Sequence, residues 1–267
     1  YSWKDKIAEN NTERIQEFND TVGKEKGIVV TAEYQGTYDD TITKLKAAMQ
    51  SESGLPDVCQ MYDVGTKFMY DSGAVIPVED KFESTGYDKS SVMDVISSYY
   101  TVEGKQYAMP FNVSTPMLYY NKDVFEAAGL DPETPPTTYD EVLEDAKKIV
   151  ESGAAPVGYS QAIYGWFFEQ QLAGLGVTYG NNDNGRTEAV TAVDFDSNGG
   201  GLKVFDMWKK LYDSGYFEDY GTTTADTQTA FFSGQVGMII ESTAILKNAV
   251  DSSPFEVGTG YLPRIEQ

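Results

Sequence analysis

Aromatic side chains gather near the turn-forming and extended stretches of this sequence: Tyr34, Tyr38, Tyr62, Tyr107, Phe111, Tyr119, Tyr120, Tyr164 and Trp166. Flat ring faces stack on the C–H faces of sugar rings, while carboxylates and hydroxyls take sugar hydroxyl groups. Aromatics interspersed with acids therefore suit a polar, weakly charged small ligand. The competing reading is that these tyrosines pack a core and leave their hydroxyls at its surface, and composition leaves both open.

Most other chemistry is excluded or unsupported. With no histidine in the chain, neither Ser-His-Asp nor Cys-His catalysis is available, nor a zinc site that depends on imidazole. The one cysteine, Cys59, rules out an internal disulfide. In the apolar run Val58-Cys59-Gln60-Met61, without a basic neighbour, it is expected to be buried and unreactive. Gly174-Leu175-Gly176 begins like a dinucleotide-binding loop, but Tyr179 stands where the third glycine belongs, so no nucleotide cofactor is expected. Asn181–Gly185 fails as a calcium loop because Gly180 and Thr191 hold the positions of its first and last ligands. Forty-two acidic residues leave a glycan-hydrolysing carboxylate pair conceivable, yet no spacing singles one out. A glycan-active hydrolase is thus one alternative function, and an adhesion or scaffold domain is another.

Charge narrows the partners. Twenty basic against 42 acidic residues give a net charge of −22, which repels nucleic-acid backbones and anionic lipid and favours a soluble monomer. No run of 18 apolar residues is present to span a membrane. The chain opens at Tyr1-Ser2-Trp3 within sequence that already reads as structured, so an export signal is expected to have been removed or cut off.

The elements that must position these residues alternate between helix and strand. Trp3, Ile7, Ile15 and Phe18 can share a face of an opening helix, interrupted at Asn11. Ile28, Val30, Ala32 and Tyr34 alternate with Val29, Thr31 and Glu33 as a strand does. Ile42, Leu45 and Met49 stripe a helix, and Leu55–Met61 leads into a short strand. This order predicts an α/β lobe with a largely parallel sheet. Tyr107–Tyr120 is extended, and Pro110 and Pro116 forbid a helix across it, so it reads as a crossing between lobes. Beyond it, Asn121 can cap a helix through Ala128. Thr138-Tyr139-Asp140-Glu141 is a capping box ahead of the stripe Val142, Ala146, Ile149 and Val150. Leu202, Phe205, Trp208 and Tyr212 stripe a later helix. Val236–Ile240 is a strand, and Phe255–Tyr261 is extended.

The long block Tyr107-Ala-Met-Pro-Phe-Asn-Val-Ser-Thr-Pro-Met-Leu-Tyr-Tyr-Asn-Lys-Asp-Val-Phe-Glu-Ala-Ala-Gly-Leu-Asp-Pro resembles the crossing segment of family 1 extracellular solute-binding proteins of bacterial ABC importers, and most of all their glycerol-3-phosphate-binding type. Shorter matches follow in the same order: Leu55-Pro56-Asp57-Val58, Tyr62-Asp63-Val64-Gly65-Thr66, Ser72–Val78, Pro135–Thr138, Asn182–Gly185, Phe232-Ser233-Gly234 and Gly258–Pro263. The crossing block is specific, and the short ones gain weight as a series.

The resemblance implies the two-lobed periplasmic-binding-protein-like fold of type II, here incomplete, with solute trapped between α/β lobes. It places residues 1–111 in an N-terminal lobe, 112–255 in a C-terminal lobe and 256–267 in a segment returning to the first. It implies an extracytoplasmic receptor, periplasmic or lipid-anchored, that is not an enzyme. Such a receptor carries a sugar or glycerol-phosphate-type solute to ABC permease transmembrane subunits, with no metal or cofactor. Residue by residue, it carries ligand contacts onto Tyr38, Asp63, Ser114, Trp166 and Ser242, with Ser114 and Ser242 on a phosphate group and Trp166 walling the cleft. Two departures stand out. Asp63 is a methylene shorter than the family's glutamate. The family's chain also runs beyond the point matching Gln267, where it supplies further anion contacts, and its first strand precedes Tyr1.

Overall fold

A computed structural model of the chain describes residues 5–51 and 53–266. The chain divides into two compact units, Tyr1–Val113 and Ser114–Gln267, two residues beyond the boundary expected from sequence.

The first unit is mainly helical. Helix α1 (Asp5–Phe18) runs unbroken through Asn11, with Ile15 and Phe18 half-buried; Trp3 lies outside the described residues. A π-helical turn (Asn19–Gly23) and α2 (Lys24–Lys26) lead to Gly27, whose φ of 68° ends the helix. Next come α3 (Tyr38–Ser51), which buries Thr41 and Leu45, a 3-10 turn (Asp63–Gly65) and α4 (Thr66–Ser72). After α5 (Phe82–Thr85) and α6 (Asp94–Tyr99), strands β1 (Thr101–Val102) and β2 (Lys105–Gln106) close an antiparallel hairpin.

Three expectations for this unit are corrected. The segment 28–34 is extended but joins no strand ladder, and Val29 is 80% exposed. Its backbone is held at Val30 by one side chain: the Asn19 amide donates to the Val30 carbonyl at 2.9 Å and accepts the Val30 N–H at 2.8 Å. An alternating pattern needs a neighbouring strand before it becomes sheet, and an asparagine amide supplies only one rung. The stretch 55–61 likewise forms no strand, with Val58 89% exposed. Cys59 is therefore half-buried rather than buried, although burial still pushes its thiol above the ordinary value. The described strands of this unit are only the antiparallel pair β1–β2, so the largely parallel sheet is not found there.

The second unit is built on a four-stranded sheet in the order β4-β5-β3-β6. Strand β3 (Pro116–Asn121) runs into α7 (Lys122–Ala127), whose first turn is capped by Asn121 accepting the Val124 N–H at 3.1 Å. Helix α8 (Tyr139–Ser152) begins at the expected capping box: Thr138 Oγ1 accepts the Glu141 N–H, and the Glu141 carboxylate accepts the Thr138 N–H. Its stripe buries Val142, Ala146 and Ile149. Strand β4 (Val157–Ser160) follows, then α9 (Gly165–Gly174) and α10 (Asn181–Gly185), where Asn182, Asp183 and Asn184 take left-handed angles. Helices α11 (Gly200–Asp213) and α12 (Thr224–Phe232) precede β5 (Val236–Ser242), α13 (Leu246–Ser252) and β6 (Val257–Tyr261). Only β4 and β5 are parallel; β3 pairs antiparallel with both β5 and β6.

Helices cover both faces of the sheet, so β5 reads as a continuous non-polar run over Val236–Ile240 rather than an alternation. Leu118, Tyr120, Met238 and Ile240 pack on one side with α8, α9 and α11. Tyr119, Val236 and Ile239 pack on the other with Phe231 of α12 and Ala249 of α13. The stripe expected on α11 is largely turned: Val204, Met207 and Leu211 are buried, Trp208 packs partly against the core as expected, and Leu202, Phe205 and Tyr212 are 66%, 52% and 68% exposed. The two glycines opening α11 are buried with that face. A Cβ on Gly200 would stand 2.6 Å from Val177, and one on Gly201 2.8 Å from Phe195, so only their bare Cα atoms allow that face to approach.

The closing segment also departs from expectation. Residues 257–261 do not return to the first unit; β6 lies beside β3 in the second unit's sheet, in register from Met117↔Tyr261 to Asn121↔Val257. Arg264 continues the attachment, donating its N–H to the Thr137 carbonyl at 2.9 Å and accepting the Tyr139 N–H at 3.0 Å. Strand β6 satisfies the edge that β3 would otherwise leave unpaired.

Candidate functional site

Strand polarity determines which ends of the second unit's sheet meet. Because β4 and β5 are parallel and β3 is antiparallel to β5, the carboxyl ends of β4 and β5 and the amino end of β3 share one edge. Loops that follow carboxyl ends of strands are where open α/β sheets bind ligands. Three of the five residues singled out from sequence belong to this edge. Ser242 ends β5 opposite Pro116 and is half-buried. Ser114, exposed, precedes Pro116 by two residues. Trp166 lies in the first turn of α9, just after β4.

Local hydrogen bonds fix the two serines. The Thr243 N–H donates to the Thr115 carbonyl at 2.9 Å, and the Thr115 N–H donates to Thr243 Oγ1 at 3.3 Å. Ser242 Oγ accepts the Ala244 N–H at 3.0 Å, which leaves its O–H proton available to donate to a ligand. Below it, the Tyr119 hydroxyl donates to the Ser242 carbonyl at 2.8 Å. Trp166 is half-buried, its ring centroid 5.0 Å from that of Phe167 and 6.3 Å from that of Tyr164. It packs partly against the core and keeps part of its surface outside it.

Sequence reasoning missed Glu241. It is only 3% exposed, on a strand with core on both faces. Its Oε2 accepts the Ser242 N–H at 2.8 Å. Thr224 and Gln228 of α12 come close enough to favour its charge, yet neither completes a well-formed bond to Oε1, which is buried without a partner. Burial dominates and raises the carboxyl above its ordinary value. A lone acid in Met238-Ile239-Ile240-Glu241 is the sequence signal that would have found it.

The first unit holds the other two residues. Tyr38 opens α3 and Tyr62 precedes the 3-10 turn; their rings stack at 4.6 Å between centroids and 10° between planes. Asp63, the next residue, is half-buried. Burial pushes the Tyr38 hydroxyl up, a hydrogen bond with Asn112 opposes this, and the charge of Asp63 adds to the rise. Tyr100 is raised by burial and then by Asp63. Tyr38, Asp63, Tyr100 and Asn112 thus form one cluster, with Tyr62 stacked against it. Tyr100 and Asn112 were not singled out from sequence. Such a cluster offers a ring face, a charged acceptor and an amide to a ligand's hydroxyl groups. Among the described residues, no group of three or more Cys, Asp or Glu side chains stands placed to hold a metal.

Comparison with known proteins places these features in a family. The pattern described as bacterial extracellular solute-binding protein matches residues 13–266. The sn-glycerol-3-phosphate-binding periplasmic protein UgpB of Brucella abortus is 36% identical over 99% of this chain and 61% of its own length. UgpB of Escherichia coli K12 is 33% identical over 86% of this chain and 53% of its own length. The chain therefore spans about three fifths of the length of the curated relatives it matches. Among solved structures, UgpB from Mycobacterium tuberculosis in complex with glycerophosphocholine superposes with a TM-score of 0.78, at 24% identity over 95% of this chain and 63% of that one. The cyclic alpha-maltosyl-1,6-maltose binding protein of Arthrobacter globiformis gives 0.74, at 26% identity over 98% and 64%. The mixed α/β fold is the type II fold of these binding proteins, and the chain belongs to the bacterial extracellular solute-binding protein family.

Proposed function

We propose that this chain is the ligand-capturing part of an extracytoplasmic receptor that delivers a small hydroxyl-rich solute, a sugar, polyol or glycerol-phosphate compound, to the transmembrane subunits of an ABC importer. The observation that carries the reading is the convergence of Ser114, Ser242 and Trp166 on one edge of the sheet: two hydroxyl donors and a broad ring face. Within the first unit, Tyr38, Tyr62 and Asp63 offer a ring face and a charged acceptor suited to the same class of solute. Stacking and hydroxyl recognition suffice for capture, and with no histidine in the chain the serines have no imidazole base to activate them, so the reading is binding of the solute without its transformation. The relatives named above carry binding, not catalysis, in their names.

A thermal-shift screen tests this reading, followed by calorimetric titration of the hits. The panel is maltose, mannitol, sn-glycerol 3-phosphate and glycerophosphocholine. A receptor gains about 2.7 kcal/mol of stability at a ligand concentration one hundred times its Kd. A scaffold would gain none with any of the four, and a hydrolase would release product; either result overturns the proposal.

A further inference from the structure

We infer that Glu241 is a specificity-determining residue that sets the Ser114–Ser242 edge against phosphate groups and in favour of uncharged hydroxyls. This rests on the receptor reading above. A phosphate site at a sheet edge ordinarily combines free backbone N–H groups, hydroxyl donors and a helix amino end. Here the second unit has those parts but spends them internally. The Ser242 N–H is turned onto Glu241 Oε2 at 2.8 Å. Helix α12 spans nine residues, and Thr223 makes no side-chain cap at its amino end. The side chains of Gln228 and Thr224 in the first turns of that helix face the Glu241 carboxylate. The backbone N–H that a phosphate on Ser242 would use is already taken by a resident carboxylate.

The charge of that carboxylate is met by hydrogen-bonding groups but by no cation. Glu241 is 3% exposed and Oε1 has no hydrogen-bond partner, so its field is little screened where a ligand would meet Ser242. No lysine or arginine among the described residues contributes to its ionisation. Lys247, five residues beyond Ser242, is 78% exposed and paired with Asp251 at 2.8 Å. A phosphate at the serine edge would face like charge without a counter-ion. An uncharged hydroxyl meets the same serine O–H groups and loses nothing. Glu241 does not touch the solute; it acts through Ser242 and through its charge.

The test is Glu241→Gln, near-isosteric and still able to accept the Ser242 N–H through its amide oxygen. Titrations of wild type and variant would use maltose and mannitol as uncharged probes, and sn-glycerol 3-phosphate and glycerophosphocholine as phosphate probes. Removing the charge should raise affinity for the phosphate probes about tenfold or more relative to the uncharged ones. Equal shifts for both classes, or none, overturn the inference and leave the receptor reading intact. If no probe binds either protein, both fall together. Should the variant fail to fold, wild type is titrated from pH 7.5 to 5.0. Glycerophosphocholine keeps its phosphodiester charge throughout, so its affinity relative to maltose should rise as Glu241 takes up a proton; a flat ratio overturns the inference. Among the groups facing Glu241, Tyr119 on β3 is held far above its ordinary value by burial, and Thr224 and Gln228 on α12 carry no titrating group.

Discussion

Thr115 and Thr243 hold the amino end of β3 to the carboxyl end of β5 by two hydrogen bonds, one between backbones at 2.9 Å and one from the Thr115 N–H to Thr243 Oγ1 at 3.3 Å. Ser114 and Ser242 flank this pair in sequence, so the spacing of the two hydroxyls depends on it. Thr243→Val keeps the backbone bond and the β-branched shape but removes the side-chain acceptor. Both threonines are exposed, so the freed N–H can turn to water, and stability should fall by no more than about 1 kcal/mol. Solute affinity should fall several-fold, because the loop before Pro116 gains freedom that binding must then remove. Calorimetric titration beside a urea melt separates the two effects; unchanged affinity would mean that the Thr115 tie does not position the site.

Trp166 and Asp63 should dominate affinity. Stacking on Trp166 contributes about 0.5–1.5 kcal/mol beyond area burial, and a hydrogen bond to the Asp63 carboxylate about 1.5–3 kcal/mol. Trp166→Ala and Asp63→Asn should each weaken binding roughly tenfold or more. Trp166 also touches Phe167 and the core, so its loss should cost some stability, though less than the ~3–5 kcal/mol of a fully buried aromatic. Folded variants that bind with wild-type affinity would show that the ligand contacts lie elsewhere.

Legibility in the sequence followed how local the determining interactions are. The Asn121 cap, the Thr138–Glu141 capping box and the Val142–Ala146–Ile149 stripe are settled within a few residues of themselves, and each formed as expected. The strand expected at 28–34 depends on a distant partner, and the segment instead took a side-chain clamp from Asn19. The buried face of α11 is not legible from its largest apolar residues, and Gly200 and Gly201, which lie close to Val177 and Phe195, carry no apolar signal at all. The destination of β6 was also illegible, since five extended residues can complete either of two edges. At the site, residue types were visible in the sequence; the shared edge of Ser114, Ser242 and Trp166 came from strand polarity, which no local pattern encodes. Glu241 escaped because its one signal, an acid closing an apolar strand run, is easily lost among 42 acids until its burial is known.

Gly258 should tolerate no side chain. A Cβ there would stand 2.2 Å from the Tyr120 ring carbon bearing the hydroxyl, and that ring is fixed by its hydroxyl donating to the Pro132 carbonyl at 2.7 Å. Gly258→Ala must displace either the ring or β6, an overpacking cost of about 1–3 kcal/mol. Pairing it with Tyr120→Ala should recover part of that cost, and a double-mutant cycle on chemical denaturation measures the coupling. Strict additivity would mean that the close approach is not what demands glycine.

The sign of the pH dependence at Glu241 follows from its burial. Its carboxyl is raised above the model-compound value of 4.5, chiefly by desolvation, so the folded protein holds this proton to a higher pH than the unfolded chain does. Stability from the protonated form is fully present below the unfolded value and is lost as pH rises through the folded one. Glu79, Asp131 and Glu141 act oppositely, because hydrogen bonds depress them and their contribution is lost in acid. Lowering the pH from 7 towards 5 should therefore stabilise wild type before those depressed groups begin to protonate. Glu241→Gln, neutral at every pH, should be more stable than wild type at pH 7, with the gap narrowing towards pH 5. Urea denaturation of both proteins across that range measures the difference. A gap that does not change with pH would mean that Glu241 titrates alike in the folded and unfolded chains and carries no buried charge at neutrality.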